Sequence, residues 1–311
     1  MSVAAGIGVG ERPAGDNQPP EEDAARSVGR RRLTPYLLLL PGMAWLAIFF
    51  IVPILTLLST STQTRPEGAE IGVYTQTFRL ANYPDAIGEY LEVFVRSFTY
   101  AFIATVLALA ISYPLAYAIA FKSGRLRNIL LVLVVAPFFV SFLLRTVAWK
   151  QILADNGWVA DILRFFHILS EDGRIINTAL AVVIGITYNF LPFMILPIYA
   201  SLERVDPRLM EAAGDLYANG LTTLRKVTFP LSLPGVVAGT LLTFIPAAGD
   251  YVNSALLGDP VHTTMVGNVI DSRFLRVVDY PTAAVLSVTL MVSILVLVGF
   301  YIRRAGTEEL V

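Results

Sequence analysis

Cysteine is absent, so the chain can hold no disulfide framework, no thiolate metal site and no cysteine nucleophile. Its 2 histidines, His167 and His262, stand far apart, which leaves little from which to assemble a zinc or di-iron centre. Charge is scarce at 15% of residues, against about a quarter in a soluble domain. The formal net charge of -1 leaves no basic excess for a nucleic-acid partner. Only three lysines occur, and Lys122, Lys150 and Lys226 follow Phe121, Trp149 and Arg225. No Gly-Lys-Ser/Thr phosphate loop is therefore possible. No cofactor is expected, and phosphate-loop nucleotide hydrolysis is excluded for this chain itself.

What is present is apolar. Of 311 residues, 55% are hydrophobic, and the mean hydropathy is +0.65. A membrane helix needs about 20 mainly apolar residues. Six stretches qualify: Leu37–Leu58, Phe98–Phe121, Ile129–Trp149, Ile176–Ala200, Leu231–Leu257 and Ala283–Ile302. Backbone groups in lipid must be satisfied internally, so these runs read as helices, and the alternation of a barrel is missing. The expectation is an all-α integral membrane protein of six spans. Residues 1–34, rich in Gly, Pro, Ala, Glu and Arg, are too polar to bury a core and read as a disordered tail. Residues 35–304 form the membrane domain, with a loop at 203–230, and 305–311 a short carboxyl-terminal tail.

Orientation follows from Lys and Arg. With the amino terminus in the cytoplasm, the inner segments hold 14 basic residues and the outer loops 8. Both termini and the 203–230 loop are thus expected in the cytoplasm. Pro192 and Pro197 in the fourth span, and Pro234, Pro246 and Gly249 in the fifth, read as breaks or kinks. Asp250, beside the last of these, has two readings: a carboxylate lining a wet pathway, or a headgroup-level residue at a span end. Arg145 lies four residues before Trp149 and reads as a snorkelling side chain. In the third loop, Trp158, Ile162, Phe165 and Leu169 recur at helical spacing, which predicts a short amphipathic helix packed by that stripe. His167 within it reads as a surface residue.

The 203–230 loop is compact and charged. Asp206-Pro207 is a helix start, a carboxylate N-cap followed by proline at the first helical position. Met210, Ala213, Gly214 and Tyr217 then share one face, with Glu211 and Asp215 on a neighbouring one. Asn219-Gly220 reads as the left-handed stop. A second helix, Leu221–Thr228, is expected to end at Pro230. A thin, capped helix outside the membrane suits a groove on another protein; a helix lying flat on lipid would want larger apolar residues and basic flanks.

Glu211-Ala212-Ala213, followed by Ala218, Val227 and Pro230, resembles the EAA loop of ABC-importer permeases, the segment that contacts the ATPase subunits. The family pattern places glycine where this chain has Tyr217 and leucine where it has Phe229; Gly220 offers a nearby alternative for the turn. The runs PYLLLLPGMAWLAIFFIVPI, SYPLAYAIA, TVAWKQILADNGWV and Tyr188 to Pro234 are similar to the spermidine/putrescine importer permeases, over roughly Thr34 to Arg304. The resemblance implies a type I ABC importer-like permease in the cell inner membrane. It implies a homologous second permease, a cytoplasmic ATPase dimer, an extracytoplasmic substrate-binding protein and a small polyamine cargo. The coupling residues would be Glu211, Ala212, Ala213, Gly214, Asp215, Tyr217, Ala218, Gly220 and Pro230. Tyr188, Asn189, Asp250 and Tyr251 could line a cation path, since carboxylates and aromatic faces suit such a cargo. An ion-coupled secondary transporter, a membrane anchor without transport, and an importer permease for another small solute are the competing readings.

Overall fold

A computed structural model of the chain describes residues 21–170 and 172–305, with side chains from 38 to 304. Most of the 1–34 tail and the 305–311 end lie outside the described residues. From Glu21 the chain is already helical. The acidic opening Glu21-Glu22-Asp23 meets the positive end of a helix dipole, and Ala24-Ala25 favours helix, so the expected tail is shortened from its carboxyl side.

The chain divides at Thr56 and Leu57 into two units. The first holds most of α1 (Glu21–Ser61), whose side chains from Leu38 are almost all exposed. The second begins with a two-residue hairpin, β1 (Gln63–Thr64) pairing antiparallel with β2 (Thr75–Gln76). It continues with α2 (Asn82–Phe121), α3 (Arg127–Val135), α4 (Phe142–Ile152), α5 (Trp158–Phe165), α6 (Ala179–Glu203), α7 (Pro207–Asp215), α8 (Gly220–Thr223), α9 (Phe229–Ala248), α10 (Val252–Leu257), α11 (Val266–Leu275) and α12 (Tyr280–Ala305).

Among the described residues, five helical stretches are long and apolar enough to cross a membrane: Leu38–Ser61, Asn82–Phe121, Ala179–Glu203, Gly220–Ala248 and Tyr280–Arg304. A bent pair, Gly124–Phe139 with Phe142–Ile152, turned by 97°, makes a sixth if the two form one broken span rather than a re-entrant loop. The third span was expected to be continuous. Pro137 cannot donate to the preceding turn, so the chain tightens into one 3-10 turn at Ala136–Phe139. Val140 and Ser141 then adopt extended ψ angles of 136° and 137°. The fourth span, expected to be broken, is not. α6 runs through Pro192 and Pro197 without interruption, because helices packed around it can re-satisfy the freed backbone groups.

α2, α6 and α9 form the centre. Ala101, Ala104, Ala108, Ser112 and Ala116 give α2 a buried seam of small residues. Across from α6, Gly235 and Gly239 bring the backbones close. A Cβ at Gly235 would lie 2.5 Å from the Pro197 carbonyl, and one at Gly239 would lie 3.0 Å from that of Met194. Small residues four apart permit such packing where lipid supplies no hydrophobic drive between helices. Met194, Ile195, Ile198 and Leu202 fill the rest of the seam.

α5 forms where an amphipathic helix was expected, but it seats by another face. Ala160 is buried and Val159, Leu163 and Leu169 pack with it, whereas Trp158, Ile162 and Phe165 are exposed. His167 has a left-handed φ of 56° and ends the helix, taking Leu169 off the predicted stripe; it is exposed, as read. Arg145 is packed within the protein: it is only 9% exposed, and its guanidinium stands over the Phe142 ring at 5.7 Å.

Candidate functional site

The loop after α6 is built from local rules. The Asp206 carboxylate accepts the Arg208 backbone N–H at 2.9 Å, and Pro207 occupies the first helical position, which fixes the start of α7. Ala213 is its one buried residue. Glu211, Ala212, Gly214 and Asp215 are exposed, and a Cβ at Gly214 would meet nothing within 4 Å. The exposed face is small and acidic, as the spacing suggested.

The stop differs from expectation. Tyr217 itself takes the left-handed conformation, with φ 58°. Its N–H donates to the Gly214 carbonyl at 2.9 Å, and the Ala218 N–H donates to that of Ala213 at 3.0 Å. This pair of bonds is a Schellman closure. Tyr217 therefore leaves the face it was expected to share with Met210 and Ala213, and its side chain is 98% exposed. Asn219-Gly220 is not the stop. The Asn219 side chain accepts the Thr222 N–H at 2.8 Å and so caps α8, where Gly220 is the first residue. Leu216, Tyr217 and Leu221 together expose an apolar surface beside Glu211.

Pro230 does not end the second helix either. A π turn spans Leu224–Thr228, and the Phe229 N–H closes it on the Leu224 carbonyl. The wider turn accommodates the proline ring, which in a regular helix clashes with the carbonyl four residues earlier and lacks an N–H to give it. Gly220–Ala248 is consequently one helical run of 29 residues.

At the other end of that run the chain opens at Gly249–Tyr251. Asp250 is only 6% exposed and so is enclosed by protein. Its Oδ1 accepts the Asn253 N–H at 2.9 Å and its Oδ2 accepts the Asn253 side-chain amide at 3.0 Å. Asn253 Oδ1 in turn accepts Asn189 Nδ2 at 2.9 Å, which also reaches Thr146 Oγ1 at 3.1 Å. The cluster thus ties α4, α6 and α10 together. Thr146 and Asn253 were missed by sequence reasoning. Their signal was available: a polar residue next to Arg145 inside an apolar run, and an asparagine three residues after a carboxylate.

The other two path candidates lie elsewhere. Tyr188 meets Trp149 edge-on at 5.2 Å and lines an apolar cavity of about 290 Å³ with Leu115, Ile119 and Pro192. Tyr251 is about half exposed and lines a cleft of about 760 Å³ with Tyr90, Asn268, Asp271 and Arg273. Its carbonyl accepts Asn268 Nδ2 at 2.7 Å. Asp250 and Asn189 are brought together, and the two tyrosines face separate spaces. Among the described residues no group of His, Asp and Glu is arranged to hold a metal ion.

Both the loop and the polar cluster fall within residues 112–305, which match the family described as "Binding-protein-dependent transport system inner membrane component". The chain belongs to that family. It is 35% identical over 264 residues to the spermidine/putrescine transport system permease protein PotB of Escherichia coli, covering 85% of this chain and 94% of the relative. With PotB of Haemophilus influenzae it shares 38% over 261 residues, covering 84% and 90%. Among solved structures, a chain of a bacterial ABC transporter involved in the import of the acidic polysaccharide alginate superposes with a TM-score of 0.64 at 17% identity. That superposition covers 92% of this chain and 99% of the other, which establishes a shared fold. This inner membrane component is thus a multi-pass transport protein of the inner membrane and not an enzyme by family.

Proposed function

We propose that the chain is a permease subunit of an ATP-binding cassette importer for polyamines of the spermidine and putrescine kind. The observation that carries this reading is 35% to 38% identity to permeases of that name over nearly their whole length. The lack of a Gly-Lys-Ser/Thr loop assigns ATP hydrolysis to a separate cytoplasmic ATPase dimer. That dimer receives the exposed face of α7 and the Leu216, Tyr217 and Leu221 surface. A second, homologous permease completes the path, and an extracytoplasmic binding protein delivers the cargo to the far side. Both termini and the Glu211 loop lie in the cytoplasm, in keeping with the 14 to 8 division of basic residues. Asp250 and Asn189 serve the path through their shared cluster, and Tyr188 and Tyr251 from its flanks.

The test is uptake of labelled spermidine, putrescine and an uncharged solute by cells carrying the chain with its partner subunits and no other polyamine transporter. The expected result is uptake of the two polyamines that stops on ATP depletion and survives collapse of ion gradients. Uptake that follows the ion gradient instead would make the chain a secondary transporter. Reporter fusions at Lys122 and Leu221 should read cytoplasm, and fusions at Gly68 and Asp259 the outside.

A further inference from the structure

A groove of about 380 Å³ runs between α2, α9 and α12. Its walls are Phe102, Val106 and Leu109 on α2, Val236, Thr240 and Phe244 on α9, and Leu297 and Tyr301 on α12. The two wall threonines are already satisfied within their own helices: Thr105 donates to the Ala101 carbonyl at 2.7 Å, and Thr240 to that of Val236 at 2.7 Å. A hydrocarbon chain could lie along these walls without stranding a polar group. One end of the groove is different. Arg304 lines it there, its guanidinium over the Phe300 ring at 5.0 Å, with Arg303 next in sequence. The apolar cavity beside Tyr188, by contrast, has no charged residue in its lining.

The dimensions suit one leaflet. From Arg304 back to Leu297 is seven residues of α12, about 10 Å, and from Val236 to Phe244 is eight residues of α9, about 12 Å. Half of the hydrocarbon core is about 15 Å. With the topology proposed above, Arg304 stands at the cytoplasmic surface, where anionic headgroups are found and a nearby arginine attracts them.

We infer that this groove binds an anionic phospholipid of the inner leaflet, with an acyl chain along α2, α9 and α12 and its phosphate on Arg304. The inference uses the proposed orientation, but lipid retention in detergent is read without reference to transport or topology, so the two fail separately. The experiment is native mass spectrometry of the purified full chain with phosphatidylglycerol and with phosphatidylcholine of identical acyl chains. Wild type should retain phosphatidylglycerol about fivefold more strongly. Arg304→Gln should abolish that preference while Arg303→Gln, off the groove lining, keeps it. Leu297→Trp, which fills the groove from an exposed position, should lower retention of both lipids. Equal retention of the two lipids by wild type, or an unchanged preference in Arg304→Gln, would overturn the inference. So would a photo-crosslinker at position 297 that attaches to α1 or to a second protein and not to lipid, because the groove would then be a protein interface.

Discussion

The Glu211 loop and the Asp250 cluster lie at opposite ends of the same 29-residue helical run, and they are built on opposite principles. The loop is held by bonds that stay within a few residues: a carboxylate cap, a Schellman closure and an asparagine cap. Its side chains face outward and touch little. The cluster adds to two local bonds between Asp250 and Asn253 a set of buried bonds between residues 43 to 107 positions apart. A segment closed by local bonds can be rigid without being packed, and so can present a face to a partner. A segment closed by distant bonds fixes the arrangement of helices. Substitutions on the outward face of the first should change coupling without loss of stability; those in the second should lower stability first.

The largest effect tests the first half of that contrast. Glu211→Lys should reduce ATP-driven uptake on the order of a hundredfold, since reversing one charge at a desolvated contact costs several kcal/mol. Gly214→Trp should act likewise by thickening the docking face, as nothing in the chain itself opposes a larger side chain there. Both variants should insert normally and melt with wild-type protein in detergent. A lowered melting temperature would show that the loop is packed and erase the distinction.

Asn253→Leu addresses the second half. It removes the side-chain donor to Asp250 Oδ2 and the acceptor of Asn189 Nδ2 while keeping the backbone N–H on Asp250 Oδ1, and should cost about 3 kcal/mol in thermal unfolding. Asp250→Asn is milder, about 1–2 kcal/mol, because one oxygen still accepts the Asn253 N–H while the new amide can face the Asn253 amide donor to donor. If Asp250 also meets a cationic cargo, Asp250→Asn raises the KM for spermidine more than for putrescine. A shift in KM without any shift in melting would assign Asp250 to the path alone, and a shift in melting without any in KM to the scaffold alone.

The smallest effect has the opposite sign. Tyr217→Gly should stabilise the loop by about 1 kcal/mol, since a non-glycine residue in the left-handed region is held there against steric cost. If the exposed ring docks on the ATPase, uptake falls while the melting temperature rises. Unchanged uptake would confine docking to α7 itself.

These two regions were not equally legible in the sequence. The start of α7 was readable because Asp206-Pro207 acts through its own backbone neighbours. The end was misplaced at Asn219-Gly220 because those residues favour left-handed φ, whereas the closure is imposed on Tyr217 by the bonds around it. The apolar runs located the five long spans and the segment of the bent pair, since length and hydropathy are properties of single segments. The bend at Val140-Ser141, the burial of Arg145 and the unbroken course of α6 through two prolines depend on which helices lie alongside. Asp250 could not be placed for the same reason. Its depth is set by Asn253, Asn189 and Thr146, and the two latter come from other helices.

The π turn at Leu224–Thr228 has a mechanical consequence. By carrying the helix past Pro230 it joins α8 to α9 end to end, and the run of Gly220–Ala248 is about 43 Å long. Its near end adjoins the Tyr217 closure and its far end stops at the Gly249 opening beside Asp250. Such a rod is a lever: a tilt of about 10° about its base would displace the far end by about 7 Å. If a partner pushes on the loop, as proposed above, the displacement can reach the cluster along one continuous helix rather than residue by residue through the bundle.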